Sequence, residues 1–520
     1  MKPLNRSHAW ALLGLALVQG IAGDALLRSV PWGINLPLWS VLGVAGIALI
    51  ARNTNAPLPL RVWPWLGGAL LCSLLTAVNA AEPLGILTLM SGVACLLLAA
   101  WTAHGGRPLS APFMDYVAYG IGGGILAICG GIGWLRPARE EIRSSPTPPD
   151  RGPEAAAHPQ RLPLRAAAGA LLAVPILILF GGLFASADPV FGKVLMRWID
   201  FDGTKVFEHG LVLVFWTGIS AGYLRRLHVP LPFLEGRSFA LPSPRRSPVV
   251  EVGTVLTSLT LLFAAFVAVQ IRYLFGDDAL IQATVGMTYA EYARNGFFEL
   301  VAVAGLLLPL LLLCDWLLGT TARGRVFRGL AGALLLLLAL IMASAMKRLS
   351  LYTQAYGLTE LRVYAAAILL WLGLVAVCFA ATVLRHHREH FAGAAILSGF
   401  GILLALHALN PDALIARHNL ARAVRGEEFD VDHALHLGPG AVPILWQGAS
   451  SLPAEAGSKL REGLRKRHGS STSDWRSWNL ARARAKAAVN AGNASTVSGP
   501  SDRPKTGHAQ TATLPASPQP

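Results

Sequence analysis

Charge is scarce in this chain. Only 14% of its 520 residues are Asp, Glu, Lys or Arg, against 53% hydrophobic, and the mean hydropathy is +0.50. A water-soluble globular chain carries roughly 25% charged residues, so most of this surface does not face water. Cysteine is scarce too. Its five copies (Cys72, Cys95, Cys129, Cys314 and Cys378) all lie inside apolar runs, and no CxxC pair exists. They read as small core residues, so neither a disulfide nor a thiolate metal site is expected. GxxxxGK[ST] and HExxH are absent. This removes a P-loop ATP drive and the commonest metalloprotease signature. No catalytic motif, cofactor site or metal site is expected, and the reading leans away from an enzyme.

Long apolar runs fill the space that charge leaves. "LVAVAGLLLPLLLLCDWLLG" (300–319) shows no polar–apolar alternation, so a barrel strand is excluded. Runs of about 18 apolar residues or more read as membrane-spanning helices. In lipid, each backbone amide of such a helix bonds within its own segment. The expected fold is all-α: a polytopic transmembrane helical bundle of about 12 spans, with a small helical C-terminal segment and a disordered tail. The spans fall near 9–26, 34–51, 62–79, 84–102, 114–135, 165–186, 207–224, 252–275, 296–318, 327–346, 361–383 and 391–409. The start "MKPLNRSHAWALLGLALVQGIAG" has the shape of a signal peptide; with so many spans after it, an uncleaved first span is expected.

Composition suggests a front membrane region of about five spans (1–135) and a Pro- and Arg-rich cytoplasmic linker (136–164). A second membrane region of about seven spans (165–409), an extramembrane helical segment (410–490) and a disordered tail (491–520) follow. The net charge of +15 does not imply nucleic acid, because much of it lies in short loops, where it sets topology. Lys and Arg are denser after spans five, seven, nine and eleven than after six, eight and ten. The first set reads as cytoplasmic and the second as outer. Strict alternation then places both termini outside, although Lys2 and Arg6 favour the inside. From residue 410 onward the chain also carries 14 Lys and Arg against 9 acids.

"KRLSLYTQAYGLTELRVYA" (347–365) interrupts two apolar runs on the outer side. Arg348, Tyr352 and Tyr356 recur every four residues and share a helical face. Gly357 suits the left-handed stop of a helix. Thr359 is placed to cap the next one, Glu360 falls in its favourable first turn, and Arg362 and Tyr364 begin the following span. Taken alone, these side chains are ordinary interfacial anchors. The other outer loops are also loaded, with Asp188, Arg272, Asp277, Glu291, Arg294 and Glu299, and the segment after span twelve adds Asn410 and Asp412. Asn410, Pro411 and Asp412 make a strong helix start. Together these residues form an expected polar cluster at the outer mouth of the bundle.

Several charges sit within apolar limits. Arg272 and Glu299 fall at one depth in antiparallel neighbours and are expected to pair or to line a wet cavity. Asp315 has Arg323 or Arg325 within reach, and Asp24 has Arg28 four residues on. Gly120 and Gly124 suit close helix packing. Asp188 before Pro189 suits a helix end as well as acid–base work. His386 and His390 are four apart, but "RHHREH" without a third ligand reads as a solvated positive cap, and His433 and His436 read the same way. "DWRSWNLARARAKAAV" (474–489) is an amphipathic basic helix. Its Trp475 and Trp478 either rest at the membrane surface or belong to a water-exposed cap on the bundle.

Five stretches in order carry a resemblance: "FASADPVF" (184–191), "YAEYARNGFFEL" (289–300), residues 347–365, "NPDALIARHNLAR" (410–422) and "DWRSWNLARARA" (474–485). Over about 165–490 the chain resembles a bacterial integral-membrane family catalogued as domain of unknown function 4173, related to family 4153. The resemblance implies a multi-pass protein of the bacterial inner membrane and no established reaction or ligand. Three functions stay open: transport or export of a small or lipid-linked solute through the outer polar cluster, a membrane-embedded transferase on a lipid-linked donor, and a non-catalytic sensor or scaffold. The surroundings implied are the lipid bilayer and a small solute or lipid ligand. Nucleic acid is not implied, and no protein partner is indicated.

Overall fold

A computed structural model describes residues 6–53, 57–129, 188, 203–229, 248–274, 297–319, 324–469 and 474–497. No strand occurs among the described residues. The membrane part comprises α1 (Arg6–Leu27), α2 (Asn35–Asn53), α3 (Trp63–Thr76), α4 (Glu82–Ala103), α5 (Phe113–Cys129) and α6 (Gly203–His228). It continues with α7 (Val249–Leu274), α8 (Phe297–Leu318), α9 (Arg325–Tyr356), α10 (Glu360–Thr382) and α11 (Phe391–Leu409). Five further helices form a cap: α12 (Pro411–Val424), α13 (Val431–His436), α14 (Val442–Gly448), α15 (Ala454–His468) and α16 (Leu480–Val497).

Eight of the described helices are long and apolar enough to cross a membrane: α1, α2, α4, α7, α8, α9, α10 and α11. Of the other four expected spans, the one near 62–79 is a shorter apolar helix, Leu60–Thr76. The one near 114–135 is described as far as Cys129, that near 165–186 lies outside the described residues, and that near 207–224 is α6, with charged groups near both ends. Large apolar side chains in mid-helix point outward, including Leu306 (71% exposed) and Leu336 (66%), as lipid-facing residues do.

Three connections meet the cap and so share one face. Ile34 N, between α1 and α2, donates to Trp478 O (2.8 Å). Leu480 N donates to Ala77 O (2.8 Å), between α3 and α4. Asn419 on α12 holds Leu358, between α9 and α10. On the opposite face His104 after α4 bonds to Arg226 O near the end of α6, and Gly393 at the start of α11 abuts Leu109. Helix α1 runs antiparallel to α6, with Asp24 against His209 at one end and His8 against His228 at the other. The start of α1 and the α4–α5 connection therefore lie with the α10–α11 connection, which loop charge marks as cytoplasmic. This corrects the strict alternation over twelve spans, which puts the N-terminus outside. On that charge reading, this is the side that Lys2 and Arg6 favour.

Among the described residues, packing divides into three large cores and a small one around Leu98, Trp101 and Ala111. One joins α7 to α10 through Leu256, Leu311, Leu334, Leu338, Leu369 and Phe379, and a second joins α1 to α4 and α6 through Leu12, Leu66, Ala99 and Leu227. The third lies under the cap, where Leu84, Leu403 and Leu406 meet Ile415, Leu445 and Leu460. Helix association in lipid relies on close contact more than on water exclusion. The glycines that serve it are not Gly120 and Gly124, at which an added Cβ meets nothing within 4 Å. They are Gly20 and Gly23 on α1, where a Cβ would collide with Thr217 and Trp216 of α6. Gly20→Leu is expected to cost about 1–3 kcal/mol by overpacking, read as a lower thermal midpoint of the detergent-solubilised protein. Gly14→Ala, facing open space, is expected to leave the midpoint unchanged or slightly raised.

Candidate functional site

The turn between α9 and α10 is built as a socket. Gly357 ends α9 at φ 78, a conformation that side-chain-bearing residues rarely adopt. Thr359 takes the extended N-cap position of α10, but its side chain makes no capping bond. The last carbonyls of α9 are met instead by cations from elsewhere. Arg362 donates to Tyr356 O (3.2 Å) and to Gly357 O, and Arg422 of α12 donates to Ala355 O (2.8 Å). Asn419 completes the socket, accepting from Leu358 N (2.7 Å) and donating to Leu358 O (2.9 Å). A Cβ on Gly357 would strike both Asn419 and Arg422.

The helical face expected from spacing forms. Tyr352 and Tyr356 meet edge to face at 5.2 Å, and the Arg362 guanidinium lies 4.0 Å from the centre of the Tyr352 ring. Glu427 accepts from Arg422 Nε (2.7 Å) and Arg425 (3.3 Å), and these bonds, that to Arg422 foremost, hold its carboxyl below the usual range. Arg422 and Asn419 escape a reading based on charge alone. Their signal is spacing: Asp412, Asn419 and Arg422 recur on the same side of α12 as the buried Ile415 and Ala416.

Beside the socket lies a buried carboxylate. Asn410 caps α12, accepting from Ala413 N (3.4 Å), Pro411 opens the helix, and Asp412 follows at 1% exposure. The glycines of "GPG" (438–440) allow that loop to close over it. A Cβ on Gly438 would collide with Asp412, and one on Gly440 with Asn410. Burial, with the Glu360 charge behind it, pushes the Asp412 carboxyl up to about 6, against the pull of the Gly438 and Gly440 amides. Asp412 Oδ1 has no hydrogen-bond partner, and the Tyr364 hydroxyl, near the Leu84 backbone, lies beside it. Among the described residues, no cationic side chain pairs with Asp412 or Glu360.

An acid raised on folding makes the native chain the better proton binder. Its contribution to stability is complete below the unfolded value of 3.8 and is lost as pH rises through about 6. Asp412→Asn is expected to remove that dependence. Relative to the variant, the wild type should lose about 1 kcal/mol or more between pH 5 and pH 7, measured as thermal midpoints in detergent.

The other expected site residues separate. Asp277, Glu291 and Arg294 lie outside the described residues, as does the side chain of Arg272, so its expected pairing with Glu299 falls there too. Glu299, in the first turn of α8, and Asp188 are exposed; Arg348 is half-buried. Of the two partners expected for Asp315, Arg323 lies outside the described residues. The described ion-pair partner of Asp315 is Arg388, at 3.9 Å in the α10–α11 connection, because the two helix ends lie side by side. Asp24 does meet Arg28 (3.8 Å), which also reaches Glu208 (3.1 Å). A hollow of about 380 Å³ between Ala48, Arg52, Leu58 and Trp63 belongs to the opposite face, away from these groups.

Two polar devices join the cap and the second membrane region to the front helices. His407 of α11 is buried between Thr88 Oγ1 (2.7 Å) and Asn79 Nδ2 (2.9 Å). The Thr88 hydroxyl already donates to Leu84 O and the Asn79 amide can only donate. His407 is therefore neutral, with its proton on Nε2. The second device is the "DWRSWN" stretch. Asn479 donates to Thr76 O (2.7 Å) and Asn79 O (3.1 Å), while its oxygen accepts from Ala481 N (2.9 Å) and Arg482 N (3.3 Å). Arg476, held by Asp474, donates to Ala25 O (2.6 Å), and Arg482 donates to Trp32 O (3.0 Å). The segment packs against the bundle as part of the cap, with Trp475 and Trp478 left exposed.

No curated protein and no solved structure matches the chain. A family model does, over residues 66–447. The match is to the related family, 4153, and does not extend to the label 4173. It also begins inside α3, well before the start expected near residue 165. Within the matched residues the front helices are joined to α11, since Asn79 and Thr88 supply the partners of His407. With most of its length matched, the chain belongs to the family described as Domain of unknown function (DUF4153).

Proposed function

We propose that this multi-pass membrane protein moves a small solute, or the headgroup of a lipid-linked one, through the seam between bundle and cap. The observation that carries the reading is Asp412. It is a buried carboxylate with an unpartnered oxygen, beside Glu360 and the Tyr364 hydroxyl, where membrane helices end. A buried ionisable group whose pKa is shifted by desolvation and a neighbouring charge is a functional-site candidate. By loop charge the seam faces outward, and by family resemblance the membrane is the bacterial inner membrane. The test is rescue of a deletion strain, with solute and lipid profiles read by mass spectrometry. Asp412→Asn and Glu360→Gln, made at wild-type protein level, are expected to fail. If both rescue fully, the seam is not a transport site.

A second reading, a non-catalytic scaffold, is favoured by a different observation. Arg422, Asn419, Asn479 and Arg482 all hold the cap against the bundle. It predicts the converse: neutral seam variants, with loss of rescue only when the cap is released. The transferase reading gains no comparable support, since Asp188 and Glu299 are exposed rather than enclosed.

A further inference from the structure

The α10–α11 connection carries a cluster on the face opposite the cap, independent of the seam. After α10 a 3-10 turn (Val383–Arg385) leads to His386 in a left-handed conformation (φ 68), and a second turn (Arg388–His390) enters α11. These turns bring His387, Glu389 and His390 together, one ligand atom from each lying within 4.8 Å of the others. Glu389 Oε1 stands 3.4 Å from His390 Nδ1 and 3.8 Å from His387 Nδ1. Ligands held at about 2.0–2.1 Å around a tetrahedral zinc ion stand roughly 3.4 Å apart, so the three atoms are near the spacing that an ion imposes. The pair suggested by spacing, His386 and His390, is not the pair that assembles. His387 takes its place, and Glu389 supplies the third ligand whose absence argued against a metal. The cation between them in sequence has its own partner, since Arg388 pairs with Asp315 of α8.

We propose that His387, Glu389 and His390 bind one divalent transition-metal ion of the zinc or nickel class. Two imidazoles and one carboxylate suit such ions, whereas magnesium and calcium prefer oxygen ligands alone. The open positions are accessible to water, because His387 and His390 are exposed and Glu389 is partly so. The bound ion would tie both turns together beside the Arg388–Asp315 pair, fixing the approach of α10 to α11.

The test uses the full chain, purified without a histidine tag and titrated calorimetrically with zinc alone at neutral pH. One equivalent is expected to bind. Affinity is expected to fall at least about tenfold in His387→Ala and in His390→Ala, and to fall in Glu389→Gln. Magnesium should give no binding heat. These side chains lie on the surface, so the variants are expected to match the wild type in thermal midpoint without metal. X-ray absorption of the one-to-one complex should show two imidazole ligands. No zinc uptake by the wild type, equal uptake by the three variants, or a zinc shell lacking imidazole would each overturn the assignment.

Discussion

Arg422→Leu is expected to lower stability by about 2–4 kcal/mol and to loosen the cap. The guanidinium is nearly buried, its side chain 9% exposed, and it serves two partners at once: Ala355 O at the end of α9 and the Glu427 carboxylate. Leucine matches the volume poorly and offers no donor. The Ala355 carbonyl then stays in a closed site without a partner, which is the larger part of the loss. Glu427 is half-exposed and can return to water, so Glu427→Gln should do much less. The measurement is thermal unfolding of the solubilised protein, with hydrogen exchange at the amides of Leu358 and Arg362 as a local readout. An Arg422→Leu variant that melts with the wild type and keeps slow exchange there would show that the socket does not hold the cap.

Asn479→Ala is the second large effect, about 2–4 kcal/mol from a lost N-cap and two stranded carbonyls. The residue is 1% exposed and makes all four of its hydrogen bonds within the protein, two as cap of α16 and two to the α3–α4 connection. Alanine removes the donors to Thr76 O and Asn79 O. The neighbouring pairings Leu480–Ala77 and Ala481–Val78 then lose their anchor. Trypsin offers a direct reading, since the cap is rich in Arg and Lys. The variant in membranes should be cut in α15 and α16 well before the wild type. Trp475→Ala, at an exposed ring, should leave the cutting pattern unchanged. Equal protection in Asn479→Ala would mean that the apolar core under the cap suffices.

These two residues mark where reading the sequence stops. Asn410 was legible as a cap because its partner, Ala413 N, is three residues away and Pro411 follows it. Asn479 also precedes a helix, so half of its role lay in the open, but its other partners are about four hundred residues distant. His407 sits in "LALHAL", where a lone histidine gives no hint of Thr88 or Asn79. Gly357 was foreseen as the stop of α9. That Arg362 and Arg422 would serve the last carbonyls of α9 was not. Asp315 meets Arg388, about seventy residues away, because antiparallel packing brings distant helix ends side by side.

The residues alone determine that this chain is helical and lies in a membrane. Lipid offers the backbone no outside partner, so each apolar run has to close its own hydrogen bonds, and that requirement is local. They also mark the glycine turn, the cap of α12 and the polar character of one helix end. Only the docking of helices decides which polar groups meet. Asp412 faces Glu360 and Tyr364, and the cap is bolted to connections far away in sequence, because contact geometry depends on how whole helices cross, which no local period records.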